Sequence, residues 1–448
     1  MVRYRIAVFA CAALLATLLV GLHAPGQLSV DSGVALYEGM VGSAIGWGPP
    51  FFAALLDWLG GGVLGASVFV SLNTVAIYGC FAVLLTAGLA PKGISWWRYA
   101  CAVILVLNPL FAFYAGILWK DVALATCAMV AITALLVSTS STGKQRCLLL
   151  CVALIAIAPM PLLRQQGVML AAPLAAAAAW IAGSAFDARG ARRLGIVAAI
   201  LGLSAMSTLA LSRLSEATIR PLPASPVSVG IEAIVAYDIV GMIAYALPTD
   251  TSEWSGADAA TRQQIKYLYS PERIDTLWHD PLVRTYVSGL GESPLRQAWW
   301  HGLRHDPIGY ASHRVAALRA LMGLGPVDGC VPAYWGVAIP PDYVEALGVR
   351  EEMDPRDRFI GRTSIALYPS PVFRHWWYAG LLVLASIAAI RRRAADALVL
   401  RVVAGIAWVY LASYAVTTIA CDFRYLYPVA CMATMLCVWR VLRPVPRV

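Results

Sequence analysis

The chain has 448 residues, of which 60% are hydrophobic and 13% are charged, and its mean hydropathy is +0.71. Soluble proteins carry about 25% charged residues, so this composition excludes an ordinary soluble globule. Most of the formal net charge of +9 comes from arginines between apolar runs. That placement indicates orientation in a membrane rather than nucleic-acid binding.

Apolar runs recur along the chain at lengths close to the ~20 residues that a helix needs to cross a bilayer. They lie near residues 6–22, 62–88, 99–118, 122–138, 147–163, 167–183, 194–212, 375–390, 398–419 and 426–442. We therefore expect an all-α polytopic membrane protein with about ten transmembrane helices.

Basic residues concentrate in alternate loops, which is the pattern of the positive-inside rule. The set begins with Arg3 and Arg5 and ends with Arg443 and Arg447, and the intervening short loops hold few cations. Both termini are therefore expected in the cytoplasm. The first run could be a cleaved signal peptide, but its length favours an uncleaved anchor.

The composition divides the chain into three parts. Residues 1–212 are an N-terminal transmembrane module with a first outer loop at 23–61, residues 213–374 a mainly helical outer (periplasmic) domain between helices seven and eight, and residues 375–448 a C-terminal transmembrane module. The apolar stretch 230–247 is not expected to span, because Glu232 and Asp238 would each cost about 2.5–3.5 kcal/mol at the bilayer centre. We predict an amphipathic helix packed on the membrane face of the outer domain.

Histidines concentrate in the outer domain, where His301 and His305 stand one helical turn apart in the stretch 298–323. This spacing permits a metal site, but no glutamate accompanies it in the manner of a zinc protease. The sequence favours an interfacial amphipathic helix anchored by Trp299 and Trp300. No metal ligand is predicted.

Eight of the ten cysteines lie in or beside apolar runs, where a free thiol behaves as a small apolar group. Cys330 and Cys421 lie in outer segments, and an oxidising compartment favours a disulfide between them. Cys421 could equally fill space at the end of its helix. Both alternatives stay open at this point.

Polar clusters interrupt the apolar sequence at four helix ends of the predicted outer face. They are Asp31 with Glu38, Lys120 with Asp121, Arg164 with Gln165 and Gln166, and Asp422 with Arg424 and Tyr425. Taken singly, such an arginine is often an interfacial anchor and such an aspartate a helix N-cap. Four clusters on one face indicate an anion pocket instead. A lipid-linked phosphate fits best, because arginine and lysine suit phosphate and a lipid tail can lie among the helices.

The order of these residues resembles the GT-C superfamily of integral membrane glycosyltransferases. Nearest are the protein mannosyltransferases, the lipid A aminoarabinose transferases and the rhizobial lipopolysaccharide sugar transferases. In these families a catalytic acid in the first outer loop precedes a tyrosine and a Pro-Pro element, as do Asp31, Tyr37 and Trp47-Gly48-Pro49-Pro50 here. The stretches LNPLFAFYAGILWKDVALA (107–125) and DFRYLYP (422–428) are also similar to members of the superfamily.

Four positions depart from the pattern of many members of the superfamily. Ser32 follows the acid where a glutamate is common, and Gly48 replaces a basic residue or histidine before Pro-Pro. Gln165 and Gln166 stand where some relatives have two asparagines.

The resemblance implies a GT-C-like fold and a polyprenyl-phosphate-linked sugar as donor, used at the outer face of the bacterial inner (cytoplasmic) membrane. Asp31 would be the catalytic base, and Lys120, Arg164 and Arg424 would bind the donor phosphate. Further substrate-binding residues are predicted at Tyr37, Glu38, Trp47, Asp121, Gln165, Asp422 and Tyr425. The expected acceptor is a glycan, lipid or protein, membrane lipids surround the protein, and a divalent cation is the one possible cofactor.

Two other classes share this general topology. An O-antigen ligase or polymerase would make Arg304 or His305 essential and Asp31 dispensable. A transporter of lipid-linked sugars would place charges at mid-membrane and often shows inverted repeats. Here the polar clusters lie at helix ends and the sequence has no visible repeat.

Overall fold

Backbone polar groups in a bilayer must be satisfied within the chain, and long apolar runs meet this requirement as helices. The computed structural model describes residues 2–46, 48–87, 95–185, 190–222, 226–246, 252–290, 292–325 and 329–443. Within these ranges the regular elements are helical, and extended segments pair only as isolated bridges.

Eleven helices make up the N-terminal half of the chain. They are α1 (Val2–His23), α2 (Val30–Val41), α3 (Pro50–Trp58), α4 (Gly62–Ala87), α5 (Trp96–Val106), α6 (Pro109–Ala115), α7 (Lys120–Ser138), α8 (Gly143–Ile157), α9 (Met160–Leu163), α10 (Gly167–Ala185) and α11 (Gly190–Thr218). The last of them passes the predicted module boundary at 212 by six residues.

Residues 219–374, the inserted segment, hold nine more α-helices within their described part. They are α12 (Pro226–Tyr245), α13 (Ser252–Ser255), α14 (Ala259–Leu268), α15 (Asp275–Trp278), α16 (Pro281–Leu290), α17 (Glu292–His305), α18 (Pro307–Met322), α19 (Pro341–Leu347) and α20 (Pro355–Leu367), followed by a 3₁₀ turn, Pro371–Phe373. The chain then continues with α21 (His375–Ile390), α22 (Ala397–Thr417), a 3₁₀ turn at Phe423–Leu426 and α23 (Tyr427–Leu442).

Nine helical segments of the described chain are long and apolar enough to cross a membrane, and the protein is a polytopic helical membrane protein. They are Val2–His23, Gly62–Ala87, Trp96–Ala115, Lys120–Ser138, Gly143–Leu163, Gly167–Ser184, Gly190–Thr218, Ala397–Thr417 and Phe423–Leu442. Each coincides with one of the ten predicted runs. The tenth run forms α21, an apolar helix of 16 residues that is about 24 Å long and packs against α22 and α23.

The described residues form two large hydrophobic cores. The larger one runs through the membrane helices and takes in Ile339 and Ile360 from the later part of the inserted segment. The smaller one lies within the earlier part, around α12. The predicted amphipathic pattern is absent from the middle of α12, because every residue from 235 to 243 is buried, on all sides of the helix. Its apolar character serves the core of the inserted segment.

The charge in the middle of α12 is paired within this core. Asp238 is buried and pairs with Arg314 of α18 at 2.6 Å, while Trp299 Nε1 donates to its second oxygen at 2.9 Å. A buried carboxylate needs such partners, because desolvation without them is very unfavourable. Trp299 therefore serves this network instead of anchoring the helix in an interface as the sequence predicts, and the single helix predicted over 298–323 ends at His305 before Pro307 begins the next.

Two membrane segments are interrupted where proline begins a new helix. Pro109 follows Asn108, whose side-chain oxygen accepts the N–H of Leu110 at 3.0 Å and so caps α6. Between α8 and α9, Pro159 is the residue just before α9 and Pro161 lies in its first turn. Proline fits the first turn of a helix, where its missing N–H has no intrahelical partner to lose. These interruptions redirect the chain just before Lys120 and just before Arg164.

The inserted segment is fixed to the loop between α22 and α23 by hydrogen bonds and by a covalent bond. Arg314 Nη1 donates to the carbonyl of Thr418 at 2.8 Å, and the Cys421 N–H donates to the carbonyl of Glu272 at 2.7 Å. Cys330 and Cys421 form a disulfide with their Cα atoms 5.6 Å apart, so the predicted bond is confirmed. The loop that carries Arg424 is thereby held from two sides.

Replacing both Cys330 and Cys421 with serine should lower the stability of the folded protein. The disulfide closes a loop of 91 residues, and loss of such a bond costs about 2–5 kcal/mol. Thermal unfolding in detergent should show a lower melting temperature, whereas Cys101→Ser, at an exposed free thiol, should leave it unchanged. Equal melting temperatures for the double variant and the wild type would contradict this role.

Candidate active site

Asp31 is held in place by a segment that pairs on both sides. Gln27 N–H donates to the Gly116 carbonyl and Leu28 N–H to the Gly336 carbonyl, each at 2.9 Å. Immediately after this segment, Ser32 Oγ donates to the Leu118 carbonyl at 2.7 Å. The start of α2 is therefore fixed between the α6–α7 connection and the inserted segment. Asp31 lies in its first turn, where the positive end of the helix dipole favours a carboxylate.

The carboxylate of Asp31 forms an ion pair with Arg424, which follows it by 393 residues. Its side chain remains 52% exposed, whereas that of Arg424 is 16% exposed. The Arg424 guanidinium holds the pKa of the Asp31 carboxyl below its usual value, Lys120 and Arg164 act in the same direction more weakly, and partial burial opposes them. Asp31 is thus ionised at neutral pH and accessible.

Lys120 begins α7 after Trp119, which adopts an extended conformation. Its ammonium lies beside the Pro-Pro corner, since a Cβ added to Gly48 would be 3.8 Å from Lys120 Nζ. The corner itself is rigid, with Pro49 extended and Pro50 opening α3. The glycine that precedes the Pro-Pro corner therefore has a lysine from another segment of the chain next to it.

Arg164 ends α9 in an extended conformation and forms an ion pair with Asp121, which is 1% exposed. Its Nε donates to Gln166 Oε1 at 3.1 Å, and its guanidinium lies 4.7 Å from the centre of the Tyr425 ring. Asp121 is therefore a buried partner of arginine instead of a helix cap. The turn is tight, because a Cβ on Gly167 would overlap the carbonyl oxygen of Met160.

Arg424 stands at the centre of the fourth segment. Besides Asp31 it contacts Asp422 at 3.1 Å, and its guanidinium lies 4.9 Å from the centre of the Trp119 ring. Asp422 also pairs with Arg273 of the inserted segment at 3.1 Å. These contacts place the donor groups of Arg424 in a fixed direction, which is the condition for using them on a ligand.

A cavity of about 280 Å³, here the polar cavity, opens between these segments. Its lining includes eight of the predicted site residues: Asp31, Lys120, Asp121, Arg164, Gln165, Asp422, Arg424 and Tyr425. The predicted meeting of the three cations at one cavity is therefore confirmed in geometry. With Asp275 added, the lining holds three basic and four acidic side chains, so its charges are nearly balanced.

Three predicted residues lie outside the polar cavity or outside the described residues. Tyr37 stacks on Tyr343 with ring centres 4.3 Å apart. Glu38 is buried and accepts the N–H groups of Ile45 and Gly46 at 2.8 and 2.7 Å, and burial raises its pKa. Its carboxylate shapes the first loop. Trp47 is not among the described residues.

The site also contains residues that the sequence did not single out. Tyr414 of α22 and Asp275 of the inserted segment line the polar cavity, and Arg273 supports Asp422 from behind. Tyr410 and Tyr414 are four residues apart on one helix face in an apolar run, which was a usable signal. Nothing distinguishes Arg273 and Asp275 from the other charges of the inserted segment.

His301 and His305 stack on each other with ring centres 6.3 Å apart on α17. Arg304 lies over Trp300 of the same helix. Within the described chain no group of three or more His, Cys, Asp or Glu side chains is arranged to hold a metal ion. The possible divalent cation stays a prediction.

Comparisons of the chain with protein-family models, with curated proteins and with solved structures found no match. The resemblance to the GT-C superfamily stays a prediction from the sequence, and the residues for which it was drawn, Asp31, Lys120 and Arg424, line one cavity.

Arg424→Gln should move the titration of Asp31 to higher pH, because it removes the charge that holds the pKa of this carboxyl low. Carbodiimide labels protonated carboxyls, so peptide mapping after labelling across a pH series reports the midpoint of the Asp31 titration.

The same coupling affects stability. The pKa of Asp31 is lower in the folded protein than in the unfolded chain, so the ion pair stabilises the fold above the unfolded pKa, and this contribution is lost as the pH falls through the lowered folded value. Arg319→Gln, at an exposed arginine of α18, is the matched control; a midpoint that is the same in all three proteins would refute the coupling.

Proposed function

We propose that this protein is a membrane glycosyltransferase that moves a sugar from a polyprenyl-phosphate donor to a hydroxyl acceptor. The observation that carries the proposal is the meeting of the Asp31 carboxylate with Lys120, Arg164 and Arg424 around one cavity at the ends of membrane helices. The four side chains come from four separate segments of the chain. A volume of about 280 Å³ is close to the lower limit of small-molecule sites.

The cavity lining has three basic and four acidic side chains, so it suits a donor with a single negative charge better than a more highly charged one. A polyprenyl phosphosugar is a phosphodiester monoanion, and an arginine that already pairs with a carboxylate still has N–H groups to donate. When the sugar leaves, the phosphate gains a second negative charge. Arg424, Arg164 and Lys120 then stabilise the transition state more than the bound donor, which is the requirement for catalysis.

A second cavity, of about 390 Å³, adjoins the polar cavity and suits the lipid chain of the donor. It shares Pro49 and Gln165 with the polar cavity, and it reaches along the end of α11. We call it the α11 cavity; it is lined by Ala44, Gly46, Gly48, Pro49, Pro50, Phe51, Pro161, Leu162, Gln165, Ser212, Ser215, Glu216, Pro221, Leu222 and Val229. The lining is mainly apolar, as burial of a prenyl chain requires.

Asp31 has the geometry of a general base. Its carboxylate is ionised and half exposed, so an acceptor hydroxyl can donate to it. In the step, the hydroxyl proton passes to Asp31 while the acceptor oxygen bonds to the anomeric carbon. The bond from that carbon to the phosphate oxygen breaks, and polyprenyl phosphate leaves with the electron pair.

The Asp31–Arg424 ion pair gives the base a dependence on the donor. While Arg424 contacts Asp31, the carboxylate is a weak base. A donor phosphate that draws Arg424 towards itself weakens this pair and makes Asp31 more basic at the moment when it is needed.

The positions of Arg304 and His305 give less support to the hypothesis of a ligase or polymerase. Arg304 stacks on Trp300 and His305 on His301, on a helix that contributes no residue to the polar cavity.

Asp31→Asn should lower the rate of sugar transfer at least ~10²-fold, the usual contribution of a general base. The amide keeps the shape of the side chain and so should leave the protein folded. Transfer from a radiolabelled polyprenyl phosphosugar in proteoliposomes measures the effect. Asp57→Asn, at another acid of the first loop that does not line the polar cavity, should retain activity. Turnover by Asp31→Asn close to the wild type would exclude this base.

Lys120→Met should reduce kcat/KM for the donor about 10²-fold, as loss of a charge-stabilising group does. Since Gly48 adjoins Lys120 Nζ, adding Gly48→Lys should return an ammonium to the same region and recover at least about tenfold. Gly48→Lys alone crowds two cations and should bring no gain. A double variant no faster than Lys120→Met, with the fold preserved, would argue against a phosphate contact at this place.

A further inference from the structure

The polar cavity has a second apolar neighbour besides the α11 cavity. This α2 cavity has a volume of about 200 Å³. It is lined by Val30, Asp31, Val34, Ala35, Glu38, Gly46, Gly48, Pro49, Phe52, Leu118, Trp119, Lys120 and Arg424. All three cavities share Pro49. The Pro-Pro corner is therefore the wall between two apolar compartments that both lead to the polar cavity.

The two apolar cavities differ in which polar side chains of the site line them. Asp31 lines the α2 cavity and the polar cavity but not the α11 cavity, whereas Gln165 lines the α11 cavity and the polar cavity but not the α2 cavity. Arg164, the cation next to Gln165, lines the polar cavity alone of the three. A base must contact the acceptor, and of the two apolar cavities only the α2 cavity is lined by Asp31; the α11 cavity adjoins Arg164 through Gln165, while Lys120 and Arg424 lie where the α2 cavity meets the polar cavity.

The charges of the α2 cavity gather at its junction with the polar cavity. Asp31, Lys120 and Arg424 line both cavities. The fourth charged residue, Glu38, already accepts two backbone N–H groups. The rest of the lining is apolar side chains and glycine. A hydroxyl-rich glycan or a peptide would leave polar groups without partners in this part, which is unfavourable.

The helix that forms one wall of the α2 cavity exposes an apolar face. Val30, Val34 and Val41 recur at helical spacing on one side of α2, and Tyr37 on the same side stacks on Tyr343. Val30 is 54% exposed and Val41 is 44% exposed. In an integral membrane protein such a face suits contact with lipid chains, and it is continuous with the cavity because Val30 and Val34 also line the cavity.

We infer that the acceptor is itself a membrane lipid: its apolar chain occupies the α2 cavity, and its hydroxyl reaches Asp31 from there. The inference rests on the proposed function and narrows it to transfer between two lipids. The donor chain and the acceptor chain lie on opposite sides of Pro49, and their polar ends meet in the polar cavity.

The test compares sugar-bearing products in cells that contain the wild-type protein, Asp31→Asn or Val34→Trp. Mild acid first destroys the donor, whose anomeric phosphate is labile. The product of interest is the sugar-bearing molecule that is present with the wild-type protein and absent with Asp31→Asn, here the Asp31-dependent product. Mass spectrometry then determines whether this molecule also has an acyl or prenyl chain. We expect such a chain, and we expect Val34→Trp to lower the product at least about tenfold by filling the cavity.

The controls separate a blocked cavity from a damaged fold. Met40→Trp alters an exposed residue of the same helix that does not line the cavity, and it should give the wild-type amount of product. If Val34→Trp does not accumulate in the membrane, Val30→Trp at the exposed mouth replaces it.

Three results would overturn the inference. A product found only on protein or on a water-soluble glycan without an apolar chain would exclude a lipid acceptor. Equal amounts of a chain-bearing product from the α2-cavity variant and from Met40→Trp would exclude the α2 cavity as its site. The absence of any Asp31-dependent product would instead contradict the proposed transferase function, and the inference would fall with it.

Discussion

The ion pair between Asp31 and Arg424 connects the first loop of the chain to the last, and the rest of the site is arranged around it. The two residues are 393 positions apart and lie at the ends of apolar helices, where an unpaired charge would be costly. Each is supported by further contacts: Asp31 by the first turn of α2, and Arg424 by Asp422 and the Trp119 ring. These contacts stabilise the ion pair. It can still open for a ligand, because Asp31 remains half exposed.

The inserted segment serves the site mainly by holding this arrangement together. Its buried Asp238–Arg314 pair extends to the Thr418 carbonyl, its Arg273 binds Asp422, and its Cys330 is bonded to Cys421. It also pairs with the first loop at Leu28. A positioning role follows, in which side chains from distant loops keep the geometry that phosphate and hydroxyl groups require.

The sequence alone predicts the features of the protein that depend on composition and on which residues lie at helix ends. The apolar runs, the disulfide, and the meeting of Lys120, Arg164 and Arg424 could be predicted, because each depends only on the side of the membrane on which a segment is expected to lie. Side-chain roles within the site were not accessible. Glu38 is predicted as a substrate ligand from its position alone, and the sequence does not reveal that its carboxylate also accepts the N–H groups of Ile45 and Gly46. The same limit applies to α12, for which the sequence predicts an amphipathic helix. Neighbouring helices of the inserted segment cover the middle of α12 on all sides, and no local sequence pattern reveals these neighbours. Arg273 became part of the site only through tertiary packing.

The most direct measurement is a structure of the full-length protein in a lipid nanodisc with a polyprenyl phosphate added. We expect phosphate density in the polar cavity in contact with Arg424 and with Lys120 or Arg164, and a prenyl chain leaving past Pro49 towards Leu162. Density for the phosphate at a different place, with the polar cavity unchanged and Arg424 still paired with Asp31, would contradict it.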